Sequence, residues 1–514
     1  MSAASGLPKA LADILEGTGF EIEAPETSKI FTNRDLAFEQ IAIIGFDMDY
    51  TLAVYNQAEL EALSIESTIT KLIERGYPEN LRRMSADPSF AVRGLMVDKK
   101  LGNIVKMDRH GYVGQAYHGR RKLPRSERKS LYRAQRLGRE RARFAQVDTL
   151  FALPEVTVYA EVVERIDHEP KGFRGPPPSY AQAFEDVRAS IDEAHRDGSI
   201  KDRIKAELDR YFVIDPKLGD TLHNFRSAGK RLFLLTNSFY PYTNAVLSRL
   251  LPGGGGRYRS WRDYFDWIIV GSMKPGFFTE GNAFQELTIT GDYHGDPVPE
   301  PQRGRIYEGG NQLGLQAALG VHADQVLYVG DHIYGDIVRS KKSSGWRTAL
   351  IVEDLEHDLA VQRSRRYVLE EIESLTHLRI KLTDEITAHR YLASVLARRT
   401  AQDLIDAGVH PSRAAAMLED SRAQIRRRFD WLRKYEAETA DTLERRIDEI
   451  NAAFNPYWGS VFTARHDTSQ FGAQVELYAC LYTSRVTNFR YVSPVKYFHS
   501  PANWLPHWKR VAES

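Results

Sequence analysis

The sequence has little that would suit an exported or membrane-embedded protein. Its 514 residues include one cysteine, Cys480, which excludes an intrachain disulfide framework and is typical of a reducing compartment. No apolar run approaches the roughly 20 residues of a membrane-spanning helix, and no apolar signal-peptide core precedes residue 30. The formal net charge is +1, so no global field draws the chain to nucleic acid or to a membrane. These absences predict a soluble cytoplasmic protein without a membrane partner.

The composition is that of a folded protein with a large core. Hydrophobic residues make up 42% of the chain and aromatic residues 11%, as in globular domains. A length of 514 residues allows two or three domains, or one large domain that carries an insertion. Five short apolar runs indicate buried strands of a parallel sheet, at 41–46, 232–235, 264–271, 325–330 and 346–352. The predicted fold class is therefore α/β.

Four of these predicted strands are followed by polar side chains. They are, in chain order, Asp47, Asp49 and Thr51, then Thr236, Asn237 and Ser238, then Lys274, then Asp331 and Asp336. Ligands of open α/β sheets bind at the carboxyl ends of the strands, so these side chains are expected to meet there. One such turn alone is equally well explained as a strand end with solvated polar groups. The order of all four indicates a site.

Those side chains are suited to phosphate chemistry. A carboxylate can attack phosphorus, while a second carboxylate moves the proton of the leaving or attacking oxygen. An ammonium such as that of Lys274 lowers the repulsion between phosphate and the attacking carboxylate. Asp331 is the natural partner of Asp47 in holding a hard divalent cation such as Mg²⁺.

Two charged segments are open to a structural or a functional interpretation. The basic stretch 119–143 could bind a polynucleotide or a polyanionic effector, but a solvated face of a helix or loop is favoured. The segment 179–212 is predicted to be helical, and Arg188, Asp192 and His195 project from one face with Lys201 nearby. From spacing alone, an ordinary ladder of surface ion pairs explains that face better than a binding site.

The chain beyond residue 355 is charge-rich and is predicted to be helical. Its inward-facing side chains are predicted to be Leu404, Ala407, Met417, Ile425 and Trp431. A helical bundle or hairpin packed on the core and a contact between subunits are both open.

The motifs at the strand ends resemble those of a known superfamily. Asp47-Met48-Asp49-Tyr50-Thr51, Thr236, Lys274 and Gly330-Asp331 with Asp336 resemble the haloacid dehalogenase superfamily of aspartate-nucleophile phosphatases. More narrowly, residues 45–55, 235–238, 274–278, 328–337 and 340–348 resemble the cytosolic purine 5′-nucleotidases that prefer IMP and GMP. The resemblance implies a Rossmann-like haloacid dehalogenase core with a parallel sheet, a large inserted cap and a C-terminal helical extension.

This resemblance also implies a division of the chain. Residues 1–55 would be the lead-in and first core strand, and 56–220 the cap that recognises the substrate, with the basic stretch inside it. Residues 221–355 would complete the core, and 356–514 would form a helical C-terminal region.

The family's catalytic roles carry over to matching positions. Asp47 would be the nucleophile that forms an aspartyl-phosphate, and Asp49 the general acid and base. The phosphate would be held by Thr51, Thr236 and Asn237, with Lys274 neutralising charge. Mg²⁺ would be held by Asp47, by the Asp49 carbonyl and by Asp331, with Asp336 in support.

The same resemblance implies how the base would be chosen. Phe151 would stack on the purine, and the recognition residues would be Arg188, Asp192, His195 and Lys201. A 6-oxopurine presents an acceptor at O6 and a donor at N1, which Arg188 and Asp192 would satisfy. Adenine reverses both groups and would leave buried polar atoms unpaired. The family has a tyrosine where this chain has Arg196.

A nucleotide effector and a homotetramer are further expectations from the family. The effector contacts would be Asp148, Tyr334, Lys342 and Gln474, although Leu477 replaces a basic residue of that pattern. Three alternatives stay open: a phosphatase of another phosphomonoester, a phosphotransferase to nucleosides, and a non-catalytic nucleic-acid-binding protein. A nucleotidase is favoured over the last because every catalytic position is filled.

Overall fold

The structure, a computed structural model, describes residues 24–84, 87–132, 142–253, 258–333, 336, 344–465 and 467–502. The chain forms two compact units. The first unit comprises the residues up to Leu359 and those from Ser460 onward, and the second comprises Ala360–Gly459.

The strands of the described residues are, in chain order, β1 (Phe31–Thr32), β2 (Leu36–Ala37), β3 (Ile43–Phe46), β4 (Val54–Tyr55), β5 (Leu95–Asp98), β6 (Asn103–Met107), β7 (Val113–His118), β8 (Arg121–Lys122), β9 (Phe144–Gln146), β10 (Phe212–Val213), β11 (Arg231–Leu235), β12 (Trp267–Val270), β13 (Phe284–Leu287), β14 (Ile306–Gly309), β15 (Val326–Gly330), β16 (Arg347–Ile351), β17 (Thr463–Ala464), β18 (Asp467–Thr468), β19 (Leu481–Thr483) and β20 (Tyr497–Phe498).

The α-helices of the described residues are α1 (Gln57–Glu74), α2 (Arg125–Tyr132), α3 (Leu153–His168), α4 (Tyr180–Arg196), α5 (Lys201–Ala206), α6 (Leu208–Tyr211), α7 (Lys217–Ser227), α8 (Tyr240–Leu250), α9 (Gln312–Leu319), α10 (Asp354–Ser364), α11 (Arg366–Ala397), α12 (Ala401–Asp406), α13 (Pro411–Phe454) and α14 (Gln470–Tyr478).

The largest sheet is built around β3. Its nine strands have the order β1-β19-β16-β15-β3-β11-β12-β14-β13. The seven inner strands are parallel, and β1 and β13 close the two edges in antiparallel pairing. The chain fills one side of β3 first, with β11, and later the other side, with β15. Open α/β sheets bind ligands at such a switch in strand order, so the crevice lies directly beyond Phe46.

Burial explains why the sequence places β3 at the centre. All four of its residues are buried, as a strand covered on both faces requires. Gly45 pairs in register with Phe233 of β11, and the Phe233 ring occupies the space that a Cβ atom at residue 45 would need. The glycine therefore lets an aromatic side chain lie across the centre of the sheet, in a core with Trp267, Tyr328 and Trp346.

A long insertion separates β3 from β11. It contains an antiparallel sheet with the order β8-β7-β6-β5-β9, and helices α1, α3 and α4 that pack on one another. The strands β4 and β10, at its two ends, pair antiparallel with Tyr55 opposite Phe212. The strands β5 and β6 form a hairpin whose turn is residues 99–102.

The secondary structure agrees with the sequence analysis in the core and differs elsewhere. All five predicted core strands are present, and the α/β class is confirmed. The helix predicted over 179–212 is divided into α4, α5 and α6, with Gly198 at a φ of 88° between the first two. The segment beyond 355 was predicted to be helical. After Phe454 a purely helical region is wrong, because the chain there combines helix α14 with short strands, and β19 adds a parallel strand beside β16.

The second unit consists mainly of the long helices α11 and α13, which pack along each other. One of their contacts is a cluster of Leu382, Ile386 and Leu432. The predicted inward positions Ala407, Met417 and Trp431 are wrong, since all three are exposed. Next to the last two, Leu418 and Leu432 are buried instead. Neither these helices nor any other in the described part of the chain has the length and apolarity needed to cross a membrane.

Candidate active site

A buried lysine joins two carboxylates at the carboxyl edge of the sheet. The Lys274 ammonium lies 3.0 Å from Asp47 Oδ2 and 2.7 Å from Asp336 Oδ1. It also donates to the Tyr328 hydroxyl at 2.9 Å and to the Leu235 carbonyl at 3.1 Å. Burial lowers the pKa of Lys274, but the two carboxylates raise it more, so the side chain remains an ammonium. Asp47, Lys274 and Asp336, which follow three different predicted strands, therefore meet at the Lys274 ammonium.

A third carboxylate, Asp331, completes an acidic group. Oxygens of Asp47, Asp331 and Asp336 lie within 4.8 Å of one another, and all three side chains are buried. Gly330 permits this approach, because a Cβ atom there would lie 2.5 Å from Asp336 Oδ2. Burial and the neighbouring carboxylates raise the pKa of Asp47 well above its usual value and that of Asp331 to about 7. A divalent cation would relieve this repulsion, and a set of carboxylate oxygens is what Mg²⁺ prefers.

The positions after β11 that are predicted to hold phosphate are fixed by hydrogen bonds. Asn237 Oδ1 accepts hydrogen bonds from the Ser272 hydroxyl at 2.9 Å and the Lys274 backbone N–H at 2.6 Å. Its amide nitrogen donates to the Lys274 carbonyl at 2.9 Å. Thr236 is fully buried, and its hydroxyl accepts from the Ser238 backbone N–H at 3.1 Å. Thr51 is buried too, and its hydroxyl has no partner among the described residues.

Asp49 stands apart from the acidic group and is held by hydroxyls. Its Oδ1 accepts from the Tyr55 hydroxyl at 2.7 Å, and its Oδ2 accepts from the Ser238 hydroxyl at 2.7 Å. The Asp49 side chain is thus free of Lys274 and available for proton transfer. No catalytic or binding role was predicted for Tyr55 or Ser238, although both lie inside the motifs that carried the resemblance.

One cavity of about 800 Å³ connects these groups to the insertion. From the core it is lined by Asp47, Asp49, Asn237, Lys274, Asp331 and Asp336, among others. From the insertion it is lined by Phe151, Asp192, His195, Arg196 and Lys201, among others. The catalytic and base-recognition predictions therefore converge on one space.

Three predicted residues do not line this cavity, and several residues without a predicted role do, Arg196 among them. Arg188 is half exposed and pairs with Glu155 at 3.3 Å, so its contact with a base stays a prediction. Thr51 and Thr236 are buried and are not among the residues that line it. Arg196 lines the cavity, and its Nε donates to the Asp192 carbonyl at 3.3 Å. A spacing of four residues after Asp192 places Arg196 on the same helix face, which is the signal that would have found it.

The aromatic side of the cavity is suited to a flat ring. Phe151 and His195 stand edge to face, with ring centroids 6.1 Å apart. Burial, together with the charge of Lys201, lowers the pKa of His195 to about 4. The imidazole is therefore neutral at pH 7 and can pack against an aromatic base without desolvating a charge.

The expected effector positions are only partly described. Although burial lowers it, Asp148 raises the pKa of His332 to about 9 through a contact of 3.4 Å. Gln474 accepts from the Gln146 side chain at 3.4 Å, and Tyr334 and Lys342 lie outside the described residues. In the basic stretch, Arg120 pairs with Glu161 and Arg143 with Asp98, while 133–141 lies outside the described residues.

Comparison with known proteins shows the family of this chain. Residues 30–510 match the model of the 5′ nucleotidase family. A 5′-nucleotidase domain-containing protein of Dictyostelium discoideum is 28% identical over 485 residues, which are 93% of this chain and 74% of that protein.

Two solved structures of CbbY from Rhodobacter sphaeroides also match. One is a complex with phosphate, 16% identical, and the other a mutant in complex with xylulose-(1,5)bisphosphate, 14% identical. Each match covers 60% of this chain and 86% of the other, with a TM-score of 0.22. The family model spans nearly the whole sequence. The chain therefore belongs to the 5′ nucleotidase family and is a phosphoric monoester hydrolase with a haloacid dehalogenase-like core.

Proposed function

We propose that this protein is a Mg²⁺-dependent 5′-nucleotidase that hydrolyses purine nucleoside 5′-monophosphates, with IMP and GMP preferred, through an aspartyl-phosphate on Asp47. The observation that carries the proposal is the shared cavity. Asp47 and Lys274 line it from the core, while Phe151, Asp192 and His195 line it from the insertion. A nucleoside monophosphate has a phosphate at one end and a flat base at the other. The phosphate suits the core side of the cavity, and the base suits the side formed by the insertion.

In the first half-reaction, a carboxylate oxygen of Asp47 attacks phosphorus and the bond to the nucleoside 5′-oxygen breaks. Asp49 gives its proton to that oxygen, so the nucleoside leaves as an alcohol. Lys274, fixed by Asp336, stabilises the negative charge that builds up between phosphate and Asp47.

In the second half-reaction, water resolves the aspartyl-phosphate. Asp49, now a carboxylate, takes a proton from water while the water oxygen attacks phosphorus. The bond between phosphorus and Asp47 breaks, phosphate leaves, and both carboxyl groups return to their initial states. The hydroxyls of Tyr55 and Ser238 hold Asp49 for both transfers.

The acidic group fits a divalent cation. Asp47, Asp331 and Asp336 present hard oxygens that lie within 4.8 Å of one another. These residues would hold Mg²⁺, together with the Asp49 carbonyl. When bound, the ion neutralises charge shared by the phosphate and the carboxylates.

Base preference follows from which groups face the cavity. Asp192 can accept the N1–H of a 6-oxopurine, whereas adenine offers an acceptor at N1 and would leave it unpaired. O6 needs a donor, and the cations that line the cavity are Arg196 and Lys201. Phe151 and neutral His195 supply the aromatic surface for the ring.

The test is phosphate release from a panel of 5′-monophosphates, with and without inosine as an acceptor. We expect IMP and GMP to exceed AMP in kcat/KM by at least about tenfold, since one unpaired buried group costs about 1–3 kcal/mol. Asp47→Asn should abolish release, and the exposed Asp324→Asn should not. Equal rates for Asp47→Asn and wild type would remove the proposed nucleophile. Transfer of phosphate to inosine at the expense of release would reassign the enzyme as a phosphotransferase.

A further inference from the structure

The hydroxyl that holds Asp49 is itself held by a second tyrosine. The Tyr55 hydroxyl donates to Asp49 and lies 2.9 Å from the Tyr242 hydroxyl. Because Tyr55 has one hydroxyl proton and gives it to Asp49, Tyr242 must donate to Tyr55. A phenol keeps its proton at neutral pH, so both hydroxyls can donate. Hydrogen bonds in such a series polarise and strengthen one another.

Tyr55 lies where the insertion joins the core. It is the last residue of β4, and it pairs with Phe212 of β10, through which the chain returns. Its ring lies 4.5 Å from the Phe212 ring and 5.8 Å from that of Phe151, measured between centroids. Movement of either connection, or of Phe151, would therefore shift the Tyr55 hydroxyl relative to Asp49.

Tyr242 provides a second contact with the insertion. It belongs to α8 of the core, and the Lys201 ammonium of α5 lies 5.2 Å from the centroid of its ring. A cation at this distance over an aromatic face is attracted to it. Tyr55, Tyr242 and Lys201 all line the cavity. Both tyrosines that lead to Asp49 thus contact side chains predicted to bind the nucleoside.

We propose that Tyr242 and Tyr55 form a hydroxyl relay that positions Asp49 and couples its orientation to the insertion that binds the nucleoside. The inference rests on the proposed function, because it takes Asp49 as the acid and base. Tyr55 and Tyr242 are positioning residues that act through Asp49. Removing either hydroxyl should therefore slow the steps that need proton transfer and spare those that do not.

The first experiment compares two leaving groups in the first turnover of Tyr55→Phe with Mg²⁺ present. The 5′-alkoxide of IMP must be protonated as it leaves, whereas the nitrophenolate of p-nitrophenyl phosphate need not be. We expect the first turnover of IMP to slow by about 10- to 100-fold, as when a general acid is misplaced. The first turnover of p-nitrophenyl phosphate should stay within about threefold of wild type. Since Asp49 must also activate water, nitrophenolate should appear as a burst of one equivalent followed by slow turnover.

The second experiment asks whether the two hydroxyls act in series. Tyr242→Phe should show the same selectivity for the leaving group with a smaller loss, about 3- to 10-fold. The double variant should match Tyr55→Phe alone, because Tyr242 acts only through Tyr55. Tyr240→Phe is the matched control, since this buried hydroxyl of the same helix donates to the Ile289 carbonyl instead. It should behave as wild type.

Two outcomes with an active wild type would overturn the relay alone. They are an equal loss for both leaving groups in Tyr55→Phe, which a general structural defect would cause, and no loss for either. Additive losses in the double variant would overturn the serial arrangement. A wild type that hydrolyses no nucleotide would instead remove the proposed function, and the relay with it.

Discussion

Lys274 shows how one residue organises the site. It donates to Asp336, to a phenol and to a carbonyl, it forms an ion pair with Asp47, and almost none of its side chain is exposed. A buried ammonium without such partners would lose its proton, so the charge depends on Asp47 and Asp336. The position of Lys274 after a predicted strand indicated a positive charge at the site. Only the fold shows that its partners are Asp47 and Asp336.

Removing this ammonium should cost both rate and stability. We expect Lys274→Met to lower kcat about 10²- to 10³-fold, as when one charge-stabilising donor is lost. It should also destabilise the metal-free fold by about 3–5 kcal/mol, because buried carboxylates lose their partner. Phosphate release and urea unfolding measure the two effects. Lys230→Met is the control: this lysine is also buried but donates to the Phe38 and Ile41 carbonyls, so rate per folded molecule should be unchanged.

Two arginines on α4 offer a direct comparison for base recognition. Arg196→Ala should lower kcat/KM for IMP and GMP about tenfold and leave AMP nearly unchanged, because adenine has no O6 to accept from it. Arg188→Ala should change neither, since Arg188 is engaged with Glu155 outside the cavity. The reverse result would show that Arg188 leaves Glu155 when a nucleotide binds.

At the scale of elements, the sequence predicted the strands that are buried on both faces of the sheet. Strands buried on both faces need unbroken apolar runs, and β3, β11, β12, β15 and β16 were all found in this way. β14 was not predicted, because its four residues end in Glu308 and Gly309. β19 was not predicted either, because its three residues lie in an aromatic segment. Short strands near a sheet edge carry too few residues to show a period.

The helices show the same limit in a different form. A long charge-rich helix such as α13 has a narrow buried stripe, and a displacement of one residue rotates a side chain by about 100°. That displacement separates the predicted Met417 and Trp431 from the buried Leu418 and Leu432.

In the site, the contacts of Tyr242 with Tyr55 and of Arg188 with Glu155 join residues far apart in sequence, so no local pattern could predict them.

Glu61 on α1 gives a prediction of stability against pH. It is 2% exposed, one of its oxygens has no partner among the described residues, and burial raises its pKa from 4.5 to about 7. The folded state therefore favours the protonated form. The stability that protonated Glu61 adds to the folded state is fully present below about pH 4.5 and is lost as pH rises through about 7.

Glu61→Gln should remove this dependence. Above pH 7 the variant should be more stable than wild type by about 1–3 kcal/mol, and at pH 4.5 the two should agree. Urea unfolding across this range makes the comparison. Glu66→Gln, on the same helix but largely exposed and paired with Arg203, should shift stability by less than about 1 kcal/mol at any pH. If the free energy of unfolding of the wild type does not fall relative to that of Glu61→Gln as pH rises, the raised pKa of Glu61 is contradicted.

At the scale of the molecule, one topological feature brings the two halves of the site together. The chain leaves the central strand, forms the whole insertion, and returns to the strand beside it. The proposed nucleophile and the proposed base-recognition residues are therefore built on separate structures whose connections pair at Tyr55 and Phe212. The proposed division at 56–220 follows this path and stays a prediction as a domain boundary.

Metal binding should be visible in the stability of the whole protein. Since Asp47, Asp331 and Asp336 repel one another, Mg²⁺ at about 100 times its Kd should add about 2.7 kcal/mol and raise Tm. Asp331→Asn should abolish the shift, and the exposed Asp324→Asn should keep it. Chelation should remove hydrolysis at the same time. Full activity after chelation would contradict the proposed cofactor.

The central claim is that Asp47 carries the phosphoryl group during turnover. The direct measurement is an acid quench during hydrolysis of IMP, followed by borohydride reduction, digestion and mass spectrometry of the peptide that contains residue 47. We predict that an aspartyl-phosphate there is reduced to homoserine in the wild type, and that omitting IMP or using Asp47→Asn eliminates the product. Turnover without this modification, or with the modification at another carboxylate, would contradict the account.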